Sequence, residues 1–67
     1  MQISAKDKFG DRWTISEIHA EQETVVFVCR CQEETRAYVV LESFHEWLRS
    51  MFTHEKMIKI VDFFDRI

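Results

Sequence analysis

The residue periodicities of this chain predict an α+β fold, a four-stranded antiparallel meander followed by two C-terminal helices (ββββαα). Three observations carry that expectation. Apolar residues alternate with a period of two through the N-terminal part, short polar connections separate the alternating segments, and after Leu41 the apolar period lengthens to about 3.6 residues.

The run Thr24-Val-Val-Phe-Val-Cys-Arg-Cys31 is the least ambiguous strand. Val25, Phe27, Cys29 and Cys31 share one face, while Val26 and Val28 lie on the other. Both faces are apolar, which predicts a central strand covered on each side. The strand before it spans residues 12–19, with Trp13, Ile15 and Glu17 on one face. Residues 2–8 alternate weakly, with Ile3 and Ala5 against Gln2, Ser4 and Lys6, as expected of an edge strand blunted by lysine. Between these two, Phe9-Gly10-Asp11 holds the only glycine of a chain without proline, and a tight turn is expected there. A polar connection, Gln32–Thr35, leads to a fourth strand over residues 36–41 that places Ala37, Val39 and Leu41 together.

Ser43-Phe-His-Glu46 reads as a capping box opening the first helix. Phe44, Trp47, Leu48, Met51 and Phe52 then form one apolar stripe, with His45, Glu46, Arg49 and Ser50 on the wet side. A second stripe, Met57, Ile60, Val61, Phe64 and Ile67, falls on nearly the opposite side of any continuous helix. The helix should therefore break near residues 53–55, where Thr53 can cap a second one and Glu55 suits its first turn. Asp62, Asp65 and Arg66 favour helix over the rival reading of residues 57–64 as a fifth strand. The first helix is expected on one face of the sheet, and the second helix or another subunit on the other.

All 67 residues form one expected domain, near the lower size limit for a self-sufficient core. The hydrophobic content is 46%, with six Phe, two Trp and one Tyr, more apolar surface than one small sheet face readily hides. The formal charge of −3 gives no global attraction to nucleic acid or anionic lipid. No apolar run approaches a membrane span and no signal-peptide layout is present at the N-terminus, so no membrane partner is expected and the expected location is cytoplasmic.

Chemistry has few footholds. Cys29, Cys31, His19, His45 and His54 are metal-ligand types, but their spacing is not that of a zinc site; reduced, buried cysteines and surface histidines explain them, and no metal or cofactor is expected. Nothing brings either thiol to an electropositive surface, one glycine cannot build a phosphate loop, and the twelve carboxylates show no catalytic pattern. The chain reads as non-enzymatic. Lys6, Lys8 and Arg12, beside Phe9 and Trp13, are a basic-aromatic mixture of the kind that binds nucleic acid, but Asp7 and Asp11 interleave with them and Glu33 and Glu34 fall at the same end of the meander, which leaves the patch close to neutral. That leaves protein binding as the leading expectation, with Phe9, Trp13, Tyr38, Phe63 and Phe64 as candidate aromatic anchors. A larger protein or complex is the expected partner, with a homodimer as the other outlet for the apolar surface. A small nucleic-acid-binding transcriptional regulator is the alternative.

The run Asp7-Lys-Phe-Gly10-Asp-Arg-Trp13-Thr-Ile15, followed by Val26-Phe27 and the Phe44 helix, resembles small accessory proteins encoded by phages and prophages, which share a strand meander opened by an Asp-x-x-Gly-x-x-Trp turn. The resemblance covers roughly residues 7–52. It implies a phage-derived protein in a host bacterial cytoplasm that inhibits or modulates a host complex by binding, an anti-CRISPR or other counter-defence inhibitor being one version. No functional residue is carried over by it.

Overall fold

The computed structural model describes residues 1–66. Four strands, β1 (Gln2–Lys6), β2 (Arg12–Ile18), β3 (Val26–Cys31) and β4 (Glu34–Tyr38), precede two helices, α1 (Leu41–Met51) and α2 (His54–Asp65). The strands form one antiparallel sheet in chain order, as the meander reading expects. No helix among the described residues is long and apolar enough to cross a membrane.

The Asp-x-x-Gly-x-x-Trp spacing has a physical basis in the first turn. Gly10 takes φ +93°, where a side chain would be strained. That fold of the backbone wraps residues 9–13 around the Asp7 carboxylate. One oxygen, Oδ1, accepts from the amides of Phe9 and Asp11, both at 2.9 Å, and the other, Oδ2, accepts from Trp13 Nε1 at 2.8 Å. Asp7 is only 6% exposed, yet all its partners are donors. Burial works to raise its pKa, but the amide of Asp11, the Trp13 indole and the amide of Phe9 outweigh that and hold it below its ordinary 3.8.

Trp13 hangs from this knot into a core formed with Ala5, Ile15, Phe27 and Cys29 from the sheet, Phe44, Trp47, Leu48 and Phe52 from α1 or its end, and Met57 and Ile60 from α2. The rings interlock. Trp13 meets Trp47 edge-on at 4.9 Å, and Phe27 stacks on Phe44 at 4.1 Å while Phe64 abuts it edge-on at 5.2 Å. Five of the nine aromatic residues are buried, Tyr38, Phe63 and Phe64 are half-buried, and Phe9 alone is exposed. The aromatic surplus is thus absorbed by the molecule's own core, contrary to the expectation that it exceeds what one sheet face can hide.

Both helices contribute to that one cluster, so the expected cover on the other face of β3 is absent among the described residues. The linker explains it. Only Phe52 and Thr53, both extended, separate α1 from α2. Two residues reach about 7 Å, whereas passing from one side of a sheet to the other means crossing roughly two layer spacings of about 10 Å. The break itself falls where the stripes predict. Thr53 Oγ1 accepts from the Lys56 amide at 3.3 Å, and residues 57–64 are helical. Ile67 of the second stripe lies outside the described residues.

Two boundaries differ from the sequence reading. Gln32 adopts φ +54°, allowing a two-residue turn through Gln32 and Glu33 that starts β4 at Glu34 and ends it at Tyr38. Such turns are ordinarily signalled by Gly or Asn, and glutamine gives no such cue. Accordingly α1 begins at Leu41 with Val40 as an N-cap that offers no side-chain acceptor, and Ser43 is inside the helix, where it cannot serve as the expected cap.

Asp7→Ala should lower stability by about 3 kcal/mol, because it removes three bonds to a charged acceptor and leaves the Trp13 indole unpaired in the core; urea denaturation measures this. A carboxylate whose folded pKa is depressed stabilises above its unfolded pKa and loses that contribution as pH falls through the folded value. The gap between wild type and Asp7→Asn should therefore be widest near neutrality and shrink on acidification from about pH 4 downward. Trp47 Nε1 is buried with no partner, so Trp47→Phe removes an unpaired donor. Trp13→Phe should be the costlier of the two by about 1–2 kcal/mol, and equal losses would contradict the assignment.

Candidate functional site

With the helices on one side, strand register sorts the remaining side chains into two surfaces. The first arises where β4 ends early. Ala37, Val39 and Leu41 were expected together on one face of the fourth strand. Instead Ala37 is exposed, and Val39, Val40 and Leu41 leave the sheet as a consecutive apolar trio, 57%, 59% and 54% exposed. Val39 and Leu41 border a groove of about 310 Å³ with Val25 and Phe64. Its rim is acidic, formed by Glu17, Glu23 and Asp65, and no lysine or arginine lines it. The groove thus joins an apolar floor to a rim of one charge sign.

The second surface is the uncovered face of the sheet. Ser4 pairs with Thr14, Lys6 with Arg12, Thr14 with Arg30 and Arg30 with Thr35, so Lys6, Arg12 and Arg30 stand together at one end. Arg12 also reaches Ser4 Oγ at 3.4 Å. The other end is apolar, with Ile18 opposite Val26. Between them Val28 is 8% exposed, flanked by Ser16 and Ala37 on the adjacent strands.

The expected site residues divide accordingly. Trp13 is 2% exposed and bonded to Asp7, so it is a core residue rather than an anchor. Phe64 is half-buried and contributes its free edge to the groove. Tyr38 is half-buried, stacking on Trp47 at 5.7 Å, and Phe63 is half-buried beside Phe64. Phe9 projects from the first turn, 68% exposed, with Lys8 Nζ 5.7 Å from its ring centre. Lys6 and Arg12 share the open face, but Lys8 belongs to the turn, whose backbone it ties to α1 through the Met51 carbonyl at 2.9 Å. Sequence reading missed Arg30, whose place beside Arg12 follows from register, and the residue 39–41 patch, which it assigned to the fourth strand.

The two thiols offer no nucleophile. Burial pushes Cys29 up to about 12 against a weaker opposing pull from Arg36. Cys31 is raised as well, by burial and then by the carboxylates of Asp11, Asp7 and Glu34. Both are free, and no three metal-ligating side chains stand together among the described residues.

No family model, curated protein or solved structure matches this chain.

Thiol labelling at neutral pH should modify Cys31 slowly and Cys29 only when the domain unfolds, since the thiolate is the reacting form. A rate for Cys29 that is independent of added denaturant at low concentration would contradict its burial.

Proposed function

We propose that this protein acts by binding a larger protein or complex and inhibiting or modulating it, without chemistry of its own. The observation that carries this reading is the apolar groove at the β4–α1 junction, where Val39 and Leu41 stay more than half exposed beside Val25 and Phe64. Leaving aliphatic side chains in water forgoes burial worth roughly 1.5–3 kcal/mol each, which a partner recovers on docking. The acidic rim favours a partner segment that presents aliphatic or aromatic side chains among lysines or arginines. Phe9, on the turn between β1 and β2, is a further exposed anchor.

The setting comes from the resemblance to phage accessory proteins, which supports a bacterial cytoplasm and a host or defence complex as the target, with an anti-CRISPR role as one form of it. The residues behind that resemblance, Asp7, Gly10 and Trp13, build the turn and the core. They support a shared scaffold and leave the target to the groove.

Capture of host proteins on the immobilised chain tests the reading when it is run against Val39→Asp/Leu41→Asp. Both positions are exposed, so these changes should alter stability by no more than about 0.5 kcal/mol each. A partner retained stoichiometrically by the wild type should be lost by the variant. Equal capture by both would remove the groove from the account, and a concentration-dependent doubling of mass by light scattering would redirect it to self-association.

A further inference from the structure

The charges of this protein are segregated by sheet face, and the register shows how. From β1 the open face presents Gln2, Ser4 and Lys6; from β2, Arg12, Thr14, Ser16 and Ile18; from β3, Val26, Val28 and Arg30; from β4, Thr35 and Ala37. None is a carboxylate, although the chain has twelve. A face of charge +3 therefore lies on a molecule of −3, leaving −6 for everything else. The ion pairs among the described residues, Arg36–Glu34 and Lys59–Glu55, involve none of the three cations. Cross-strand and diagonal neighbours in a sheet are about 5–8 Å apart, so Lys6, Arg12 and Arg30 concentrate positive charge with the hydroxyls of Ser4, Thr14 and Thr35 among them.

We infer that this open face is a docking surface for the sugar-phosphate backbone of a nucleic-acid duplex. Charge complementarity selects the occupant: three cations engaged in no ion pair among the described residues and several short hydroxyl donors are the groups that contact phosphate and sugar. Duplex is preferred to single strand because no aromatic residue occupies the face, and sequence-tolerant binding of unpaired bases depends on aromatic stacking. Small Ser, Thr and Ala side chains also let a broad backbone approach the sheet closely. Binding would be weak and independent of sequence, since three contacts are few and the rest of the molecule repels phosphate. The face is distinct from the groove, so the two readings stand or fall separately.

The test is fluorescence anisotropy of a mixed-sequence duplex of about 20 base pairs, titrated with the intact chain from about 20 to about 200 mM KCl; three phosphate contacts should give a log–log slope near −2.7, a loss of about 500-fold across that range. Arg12→Glu/Arg30→Glu should abolish binding at the lowest salt. Lys56→Glu/Lys59→Glu, which changes net charge equally on α2, should retain most of it. Should the double glutamate variant fail to fold by circular dichroism, the single variants Arg12→Gln and Arg30→Gln should each reduce the slope by about 0.9. Identical behaviour of the sheet and helix variants, tighter binding of the corresponding single strand, or displacement of the duplex by polyglutamate at equal charge concentration would each overturn the inference.

Discussion

Both helices bury against the same face of the sheet, and the two surfaces left open on this protein descend from that constraint. Trp13, Ile15, Phe27 and Cys29 face Phe44, Trp47, Leu48 and Ile60 in one cluster. A two-residue linker cannot carry a helix around a sheet edge. The sheet accordingly has a sealed side and a free side, and on the free side the side chains answer to water. Ser4, Thr14, Ser16 and Thr35 occupy central positions that a second layer would have required to be apolar. The apolar residues of that face are Ile18, Val26, Val28 and Ala37, of which Val28, between Ser16 and Ala37, is buried.

The Asp7 knot is the second organising element. A carboxylate buried at a turn is costly unless it is met by donors, and here three donors converge from within seven residues of chain. The arrangement joins backbone geometry at Gly10 to the placement of the largest core side chain, Trp13. It also gives the Asp-x-x-Gly-x-x-Trp spacing a structural reason in this chain. Each of its three named residues has a structural duty: Asp7 and Trp13 are buried, and Gly10 turns the backbone at positive φ.

The two surfaces left over are opposite in character. The groove beside residues 39–41 is apolar and rimmed by carboxylates, whereas the open sheet face ends in three cations that form no ion pair among the described residues. On so small a domain such sorting would let one molecule contact two partners of different chemistry. The thiols are held protonated by burial, and Asp7, the one buried carboxylate among the described residues, accepts three hydrogen bonds.

Sequence periodicity alone was enough for the ββββαα order, for the alternation of side chains within β2 and within β3, and for the helix break capped by Thr53, because each depends on spacing within a single segment. It misjudged β4 by two to three residues. The turn there uses Gln32 at positive φ, a conformation that neighbouring contacts impose and that glutamine does not announce. Reading β3 in isolation also made its two apolar faces look like a demand for two covering layers; the polar partners of Val28's face sit on β1, β2 and β4, and register is needed to see them. Which aromatics are anchors, that Arg30 joins Lys6 and Arg12, and that residues 39–41 lie exposed were decided by the tertiary structure. Those properties belong to pairs of segments brought together by folding, and no local pattern encodes which pairs meet.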